Sequence, residues 1–164
     1  MTPLPPKALL LIFCILSFLG FLDASYLALE HYLGSVPACS FVKGCEIVTT
    51  SPYATLEGTW AAFRGRELVF LVPRGISVAL LGALYYGALF MAAAASWGRR
   101  DAIFLRLLPF TAVGLLAAAW FLSLQAFVLQ AFCVYCIFSA ATSTALFLVA
   151  LALLQWKRRL PANI

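Results

Sequence analysis

Residues Ala8 to Tyr32 read ALLLIFCILSFLGFLDASYLALEHY, and the first charge after Lys7 is Asp23. Crossing the ~30 Å hydrocarbon core takes about 20 predominantly apolar residues in a helix, so this stretch is long enough to span a bilayer. Lys7 with Ala8–Leu22 has the look of a secretory leader, but no small-x-small cleavage site precedes a soluble mature chain. A span is the better reading. Three further runs meet the same test: Ile76 to Trp97, Ile103 to Leu129, and Cys133 to Trp156. Pro109 lies in the early turns of the third and is a candidate kink. The expected fold is therefore an all-α membrane protein, a four-transmembrane-helix bundle in one catalytic domain over residues 1–164.

Composition agrees. Of 164 residues, 65% are hydrophobic and 10% charged, with a mean hydropathy of +1.02. A soluble domain exposes far more charge, so the solvent is lipid. The net charge of +5 does not indicate nucleic acid. The basic residues sit in short clusters between apolar runs, with no basic stripe or stacking platform, so no nucleic-acid partner is expected.

Those clusters set the orientation. Lys7, Arg99, Arg100, Arg106, Lys157, Arg158 and Arg159 fall on one side, with Asp101 the only acid among them. Lys43, Arg64, Arg66 and Arg74 fall on the other, within the long loop from Gly34 to Gly75. The excess places both termini in the cytoplasm. The loop 34–75 between the first two helices and the turn around Gln130–Phe132 then face outward.

Four of the five cysteines form two close pairs, both on that outer side. Cys39 and Cys45 lie in the loop; Cys133-Val-Tyr-Cys136 opens the fourth helix. Residues three apart share a helix face. A helix N-terminus, with its unpaired N–H groups and positive dipole, favours a thiolate at Cys133. A thiolate is the species that attacks a disulfide, while Cys136 lies one turn deeper toward the bundle. Half of a zinc site is the competing reading of C-x-x-C, but His31 is the only histidine and no second metal pair exists. Cys39 and Cys45 alone also suit a plain structural disulfide. Two pairs on one face of a membrane bundle make a redox relay the better account. Cys14, inside the first helix, reads as an inert buried thiol.

Cys39-x5-Cys45, then Glu46-Ile-Val-Thr-Thr-Ser51-Pro-Tyr53-Ala, then Leu81-Gly82-Ala-Leu-Tyr85-Tyr86, then Cys133-Val-Tyr-Cys136 resembles the vitamin K epoxide reductase family, in its bacterial branch. Disulfide oxidases of the DsbB type carry their C-x-x-C in the first outer loop, the reverse of the order here. The resemblance implies a quinone-dependent disulfide oxidase in a bacterial inner membrane. A thioredoxin-like (DsbA-type) partner gives two electrons to Cys39 and Cys45, which pass them to Cys133 and Cys136. That pair reduces a membrane quinone, ubiquinone or menaquinone. It also implies that Cys136 meets the quinone and that the loop exchanges with Cys133. Ser51 matches a family serine beside the quinone, where its hydroxyl donates to a quinone oxygen. Its competing reading is an N-cap before Pro52 at N1 of a short helix. Tyr53, Tyr85 and Tyr86 suit either pocket lining or packing.

Four departures matter. The animal enzymes carry a tyrosine where Ala140 stands, and their pocket amide near the start of the second helix has no match around Val78. Both argue against vitamin K epoxide as the natural substrate. Many bacterial members continue into a fused thioredoxin-like domain; none follows here, so a separate donor protein is expected. Trp60–Arg74 also exceeds the expected connection, and Leu71-Val-Pro-Arg-Gly75 matches a thrombin recognition sequence. Either an engineered insertion or a natural loop with Leu68–Val72 on the bilayer surface accounts for it.

Intramembrane acids cost about 2.5–3.5 kcal/mol at the bilayer centre, so Asp23 invites a role. A proton relay through Asp23 or Glu30 competes with a helix-packing hydrogen bond or interfacial snorkelling, and the latter reading, packing or snorkelling, is favoured. His31 reads as an interface residue; Gln125 and Gln130 read as packing. Two rivals to the disulfide-oxidase reading remain: vitamin K, quinone or epoxide reduction as the purpose, and a non-enzymatic scaffold with structural disulfides. Orientation is directly testable. A reporter active only in the cytoplasm should be active when fused after Arg100 or after Ile164. Activity from a fusion near Gly44 instead would invert the topology.

Overall fold

A helix closes its backbone hydrogen bonds within itself, which is why an apolar chain crossing lipid takes that form. The computed structural model describes residues 6–38, 44–64, 75–96 and 103–159. Its elements are α1 (Pro6–Leu33), α2 (Gly44–Thr49), a 3₁₀ turn (Pro52–Ala54), α3 (Leu56–Arg64), α4 (Val78–Ala95), α5 (Ile103–Ser123) running into a π-helix (Leu124–Leu129), and α6 (Val134–Arg159). Four segments are long and apolar enough to cross a membrane: Lys7–Leu33, Val78–Ala95, Leu107–Leu129 and Val134–Trp156. The chain is a four-helix membrane protein, as expected. The loop between the first two spans is not irregular; it holds α2, the 3₁₀ turn and α3. Cys39, the stretch 65–74 with most of the thrombin-like sequence, and Arg99–Arg100 lie outside the described residues.

Ends are set locally. Gly34 takes φ +66 after α1, so its N–H donates to the His31 carbonyl while the Ser35 N–H reaches Glu30. At α4, the Ser77 hydroxyl accepts from the Ala79 N–H at 3.2 Å. Thr55 and Ser77 form an isolated bridge, and the Leu56 N–H donates to the Ile76 carbonyl at 2.8 Å. The excursion carrying α3 therefore leaves and returns at one point, beside the Tyr32 hydroxyl, which accepts from the Ser77 N–H.

α1 packs against α4 and α6, and α5 packs against α6. The core runs through Leu10, Phe13, Cys14, Tyr86, Leu89, Leu107 and Leu146. Cys14 is a free buried thiol in that core. Leu84, Met91, Phe110, Val113, Leu116 and Leu148 are exposed on the outside, where lipid is their solvent. Buried hydroxyls are satisfied by their own helices: Ser17 donates to the Phe13 carbonyl at 2.8 Å and Thr142 to that of Phe138 at 2.9 Å.

Gly20 of α1 lies at a close helix approach. A Cβ there would lie 2.7 Å from the Tyr86 ring. That ring cannot yield, because its hydroxyl is held by the Ser139 carbonyl and by the hydroxyls of Ser139 and Ser143 at 2.7–2.9 Å. At Gly87 a Cβ would meet Phe21 at an ordinary 3.4 Å. Gly20→Ala should therefore lower stability by about 1–3 kcal/mol through overpacking. Gly87→Ala should be neutral or gain up to about 1 kcal/mol from helix propensity. Thermal unfolding in detergent reads both, and equal midpoints would contradict this packing.

Candidate functional site

Cys133 is the residue just before α6, so its side chain sits where an N-cap sits. The N–H groups of Tyr135 and Cys136 point to its sulfur. It stands one residue outside the fourth span. The hydrogen bond from the Cys136 thiol holds its pKa below the ordinary thiol range, more than burial opposes this. Cys133 and Cys136 are free thiols, whereas Cys45 is in a disulfide.

Cys45 and the helix pair meet at one end of the bundle. Cys45 and Cys133 are both 0% exposed and share a small cluster with Val48 and Ala131. α2 reaches that close because it begins with Gly44, where a Cβ would collide with the Phe132 backbone. On the other side of Cys39, the Ala38 carbonyl accepts from the Tyr135 hydroxyl at 3.0 Å, and its N–H donates to the Tyr26 hydroxyl at 3.3 Å. The loop is thus tied down both before Cys39 and after Lys43. One of its anchors, Tyr135, lies within the C-x-x-C itself.

Cys136 packs against this cluster from the bundle side. It lines a cavity of about 440 Å³ between α1, α4, α5 and α6, roofed by α2 and the 3₁₀ turn. That volume is within the range of roughly 300–1,000 Å³ common for small-molecule sites. Leu27, Val48, Leu81, Val113 and Phe121 make much of the wall apolar, and Gly114 leaves room for the Tyr85 hydroxyl, which donates to the Phe110 carbonyl at 3.2 Å. A flat apolar ring with polar oxygens fits such a cavity.

Ser51 lines this cavity, and so do Tyr53, Tyr85 and Tyr86. The Ser51 residue occupies the N-cap position before Pro52, but its hydroxyl does not cap; it donates to the Val48 carbonyl at 2.8 Å. Asp23 also faces the cavity, and its Oδ2 is buried without a hydrogen-bond partner. A helix-packing hydrogen bond, one form of the favoured reading of that residue, is therefore absent at this oxygen. His31 borders the cavity and stacks edge-on against Tyr32. No cluster of metal-ligating side chains occurs among the described residues.

Sequence reading assigned Gln125 to packing, and the structure gives it much more. It is 2% exposed in the π-helix, and its Oε1 accepts from the Cys133 N–H at 2.9 Å. Its backbone carbonyl accepts from Gln130 and Ala131, and its side chain also hydrogen-bonds Cys136. A lone amide deep in an apolar span was the one available signal.

No curated protein matches the chain. The sequence profile of the vitamin K epoxide reductase family matches residues 11–151, from the first turns of α1 almost to the end of α6. With Cys45, Cys133 and Cys136 gathered at one end of that matched bundle, the chain belongs to the vitamin K epoxide reductase family and is a membrane oxidoreductase of the quinone and epoxide reductase class.

Proposed function

We propose that the chain is a quinone-dependent thiol–disulfide oxidase that drives disulfide formation outside the cytoplasm. The observation that carries this reading is the adjacency of three sulfurs at the cavity edge. Cys45 is packed with Cys133, and Cys136, which packs against that cluster, also lines the cavity. An exchange between pairs at Cys133 and a transfer to quinone at Cys136 then take place at neighbouring sulfurs with different surroundings.

The sequence of steps balances. A dithiol on a separate thioredoxin-like partner reduces the Cys39–Cys45 disulfide and leaves with its own disulfide closed. The Cys45 thiolate attacks the Cys133 sulfur of the oxidised helix pair, forming a Cys45–Cys133 bond and releasing Cys136 as thiolate. Cys39 attacks Cys45, restoring the loop disulfide and leaving Cys133 and Cys136 reduced. Two electrons and two protons then pass from this dithiol to the quinone, and the Cys133–Cys136 disulfide closes again. The buried position of Cys45 supports Cys39 as the cysteine that meets the partner. Ser51 lines the cavity wall, and its hydroxyl donates to a ring oxygen only on leaving the Val48 carbonyl.

In this reading residues 1–164 work as one membrane-embedded domain in a bacterial inner membrane. Both termini are cytoplasmic, and residues 34–75 form the extracytoplasmic loop. Ubiquinone or menaquinone is the acceptor. Ala140 lines the cavity and brings no hydroxyl where the animal enzymes place one, which favours a quinone over an epoxide. A C-x-x-C whose second cysteine lines an apolar cavity counts against a scaffold held by structural disulfides.

Serine in place of Cys39, Cys45, Cys133 or Cys136 should abolish oxidation of a thioredoxin-like partner, while Cys14→Ser should be nearly silent. A Cys39→Ser/Cys45→Ser double variant that still oxidises protein at the normal rate would remove the shuttle role. Cys133→Ser leaves Cys136 without its disulfide partner, as a thiolate against an electron-poor ring. Purified with quinone, it should show a long-wavelength charge-transfer absorption that disappears on acidification. The Cys136→Ser protein should show none. A band in that variant alone would exchange the two roles.

A further inference from the structure

Gln125 touches both ends of the C-x-x-C and belongs to neither pair. Its Oε1 accepts the Cys133 N–H at 2.9 Å. That bond fixes the orientation of the amide, because an N–H can only meet the oxygen. The NH₂ half is then the group that reaches the Cys136 sulfur. The side chain is 2% exposed and lines the cavity, so water does not compete for either contact.

Its backbone has an equally specific task. A regular helix would carry Gln125 and the next residues straight into the turn. Instead the segment is π-helical through Leu129, and Gln130 takes the left-handed conformation at φ 49. The N–H groups of Gln130 and Ala131 both fold back on the Gln125 carbonyl. Single π turns of this kind re-aim side chains at functional sites. Here the turn delivers Cys133 to its capping position with its N–H already bound.

We propose that Gln125 is the positioning residue of the helix pair, holding Cys133 at the α6 cap through its oxygen and stabilising the Cys136 thiolate through its amide N–H. A hydrogen bond from a neutral donor to a thiolate is charge-assisted and strong in a dry site. It favours release of Cys136 when Cys45 attacks Cys133, and it keeps that sulfur aimed at the ring. This inference rests on the assignment of Cys136 to the quinone.

Glutamate separates the two contacts: it keeps an acceptor for the Cys133 N–H and replaces the donor to Cys136 with a repelling carboxylate. In the Cys133→Ser background, loaded with a short-chain ubiquinone, Gln125→Glu should weaken the charge-transfer band at least tenfold at neutral pH. Quinone content, measured by extraction, should not change. Gln125→Met loses both contacts and should lose the band together with thermal stability. In the otherwise unaltered chain, Gln125→Glu should lower kcat for quinone reduction at least tenfold, with KM for the protein dithiol unchanged. Should Gln125→Glu not fold, Gln125→Asn, one methylene short of both partners, makes the same test. Full band intensity in either variant, or a change confined to KM, overturns the role of Gln125. A Cys133→Ser parent that binds quinone without any band overturns the quinone assignment of Cys136, and this inference with it.

Discussion

Lipid offers no hydrogen bonds, so each polar group within the bundle must find its partner in the protein, and this obligation shapes everything from the helices to the sulfur site. Most of the chain meets it trivially, by helical backbone and by hydroxyls such as Ser17 and Thr142 that bond their own preceding turn. The stretch between α5 and α6 cannot, because the cysteine pair needs a non-helical approach. One residue resolves the conflict. Gln125 accepts from three N–H groups, those of Gln130, Ala131 and Cys133, through its carbonyl and its side-chain oxygen. An unsatisfied buried donor costs about 1–3 kcal/mol, so three of them would outweigh most packing gained at that end.

The same geometry explains why two cysteines three residues apart can have different tasks. A sulfur at the cap position and a sulfur one turn on are ~5 Å apart along the helix axis. Cys133 is enclosed by Cys45, Val48 and Ala131, whereas Cys136 opens on the cavity. Exchange between cysteine pairs needs close, in-line sulfurs and no competing water. Reduction of a lipid-borne acceptor needs access from the bundle interior. In the proposed cycle, adjacent sulfurs with different surroundings, one enclosed and one on the cavity wall, meet both demands.

The cavity itself follows from residue size. Gly82, Gly114, Ala117 and Ala118 hold back the walls contributed by α4 and α5. Polar groups are few, and one is costly: Asp23 keeps Oδ2 buried without a partner. Tyr86 is different, since three oxygens hold its hydroxyl and make it a fixed wall.

Four spans were legible from residues alone because a bilayer imposes a length and an apolar composition that no other setting demands of 20 residues at a time. The turn around Gln130–Phe132, the buried thiol at Cys14 and the C-x-x-C at the head of the fourth helix were legible for the same local reasons. Three things were not. Ser51 has the sequence of an N-cap, yet its hydroxyl turns to Val48 because the preceding short helix leaves that carbonyl within reach. Gln125 looked like packing, because a π turn depends on where the next helix must start and not on propensity. Which loop cysteine faces inward was undetermined, since Cys39 and Cys45 are equivalent as a pair in a chain. The close approach of α2 to the Phe132 backbone buries Cys45 against Cys133. Local patterns state what a segment is; contacts between segments far apart in sequence depend on packing, and packing exists only once the helices have met.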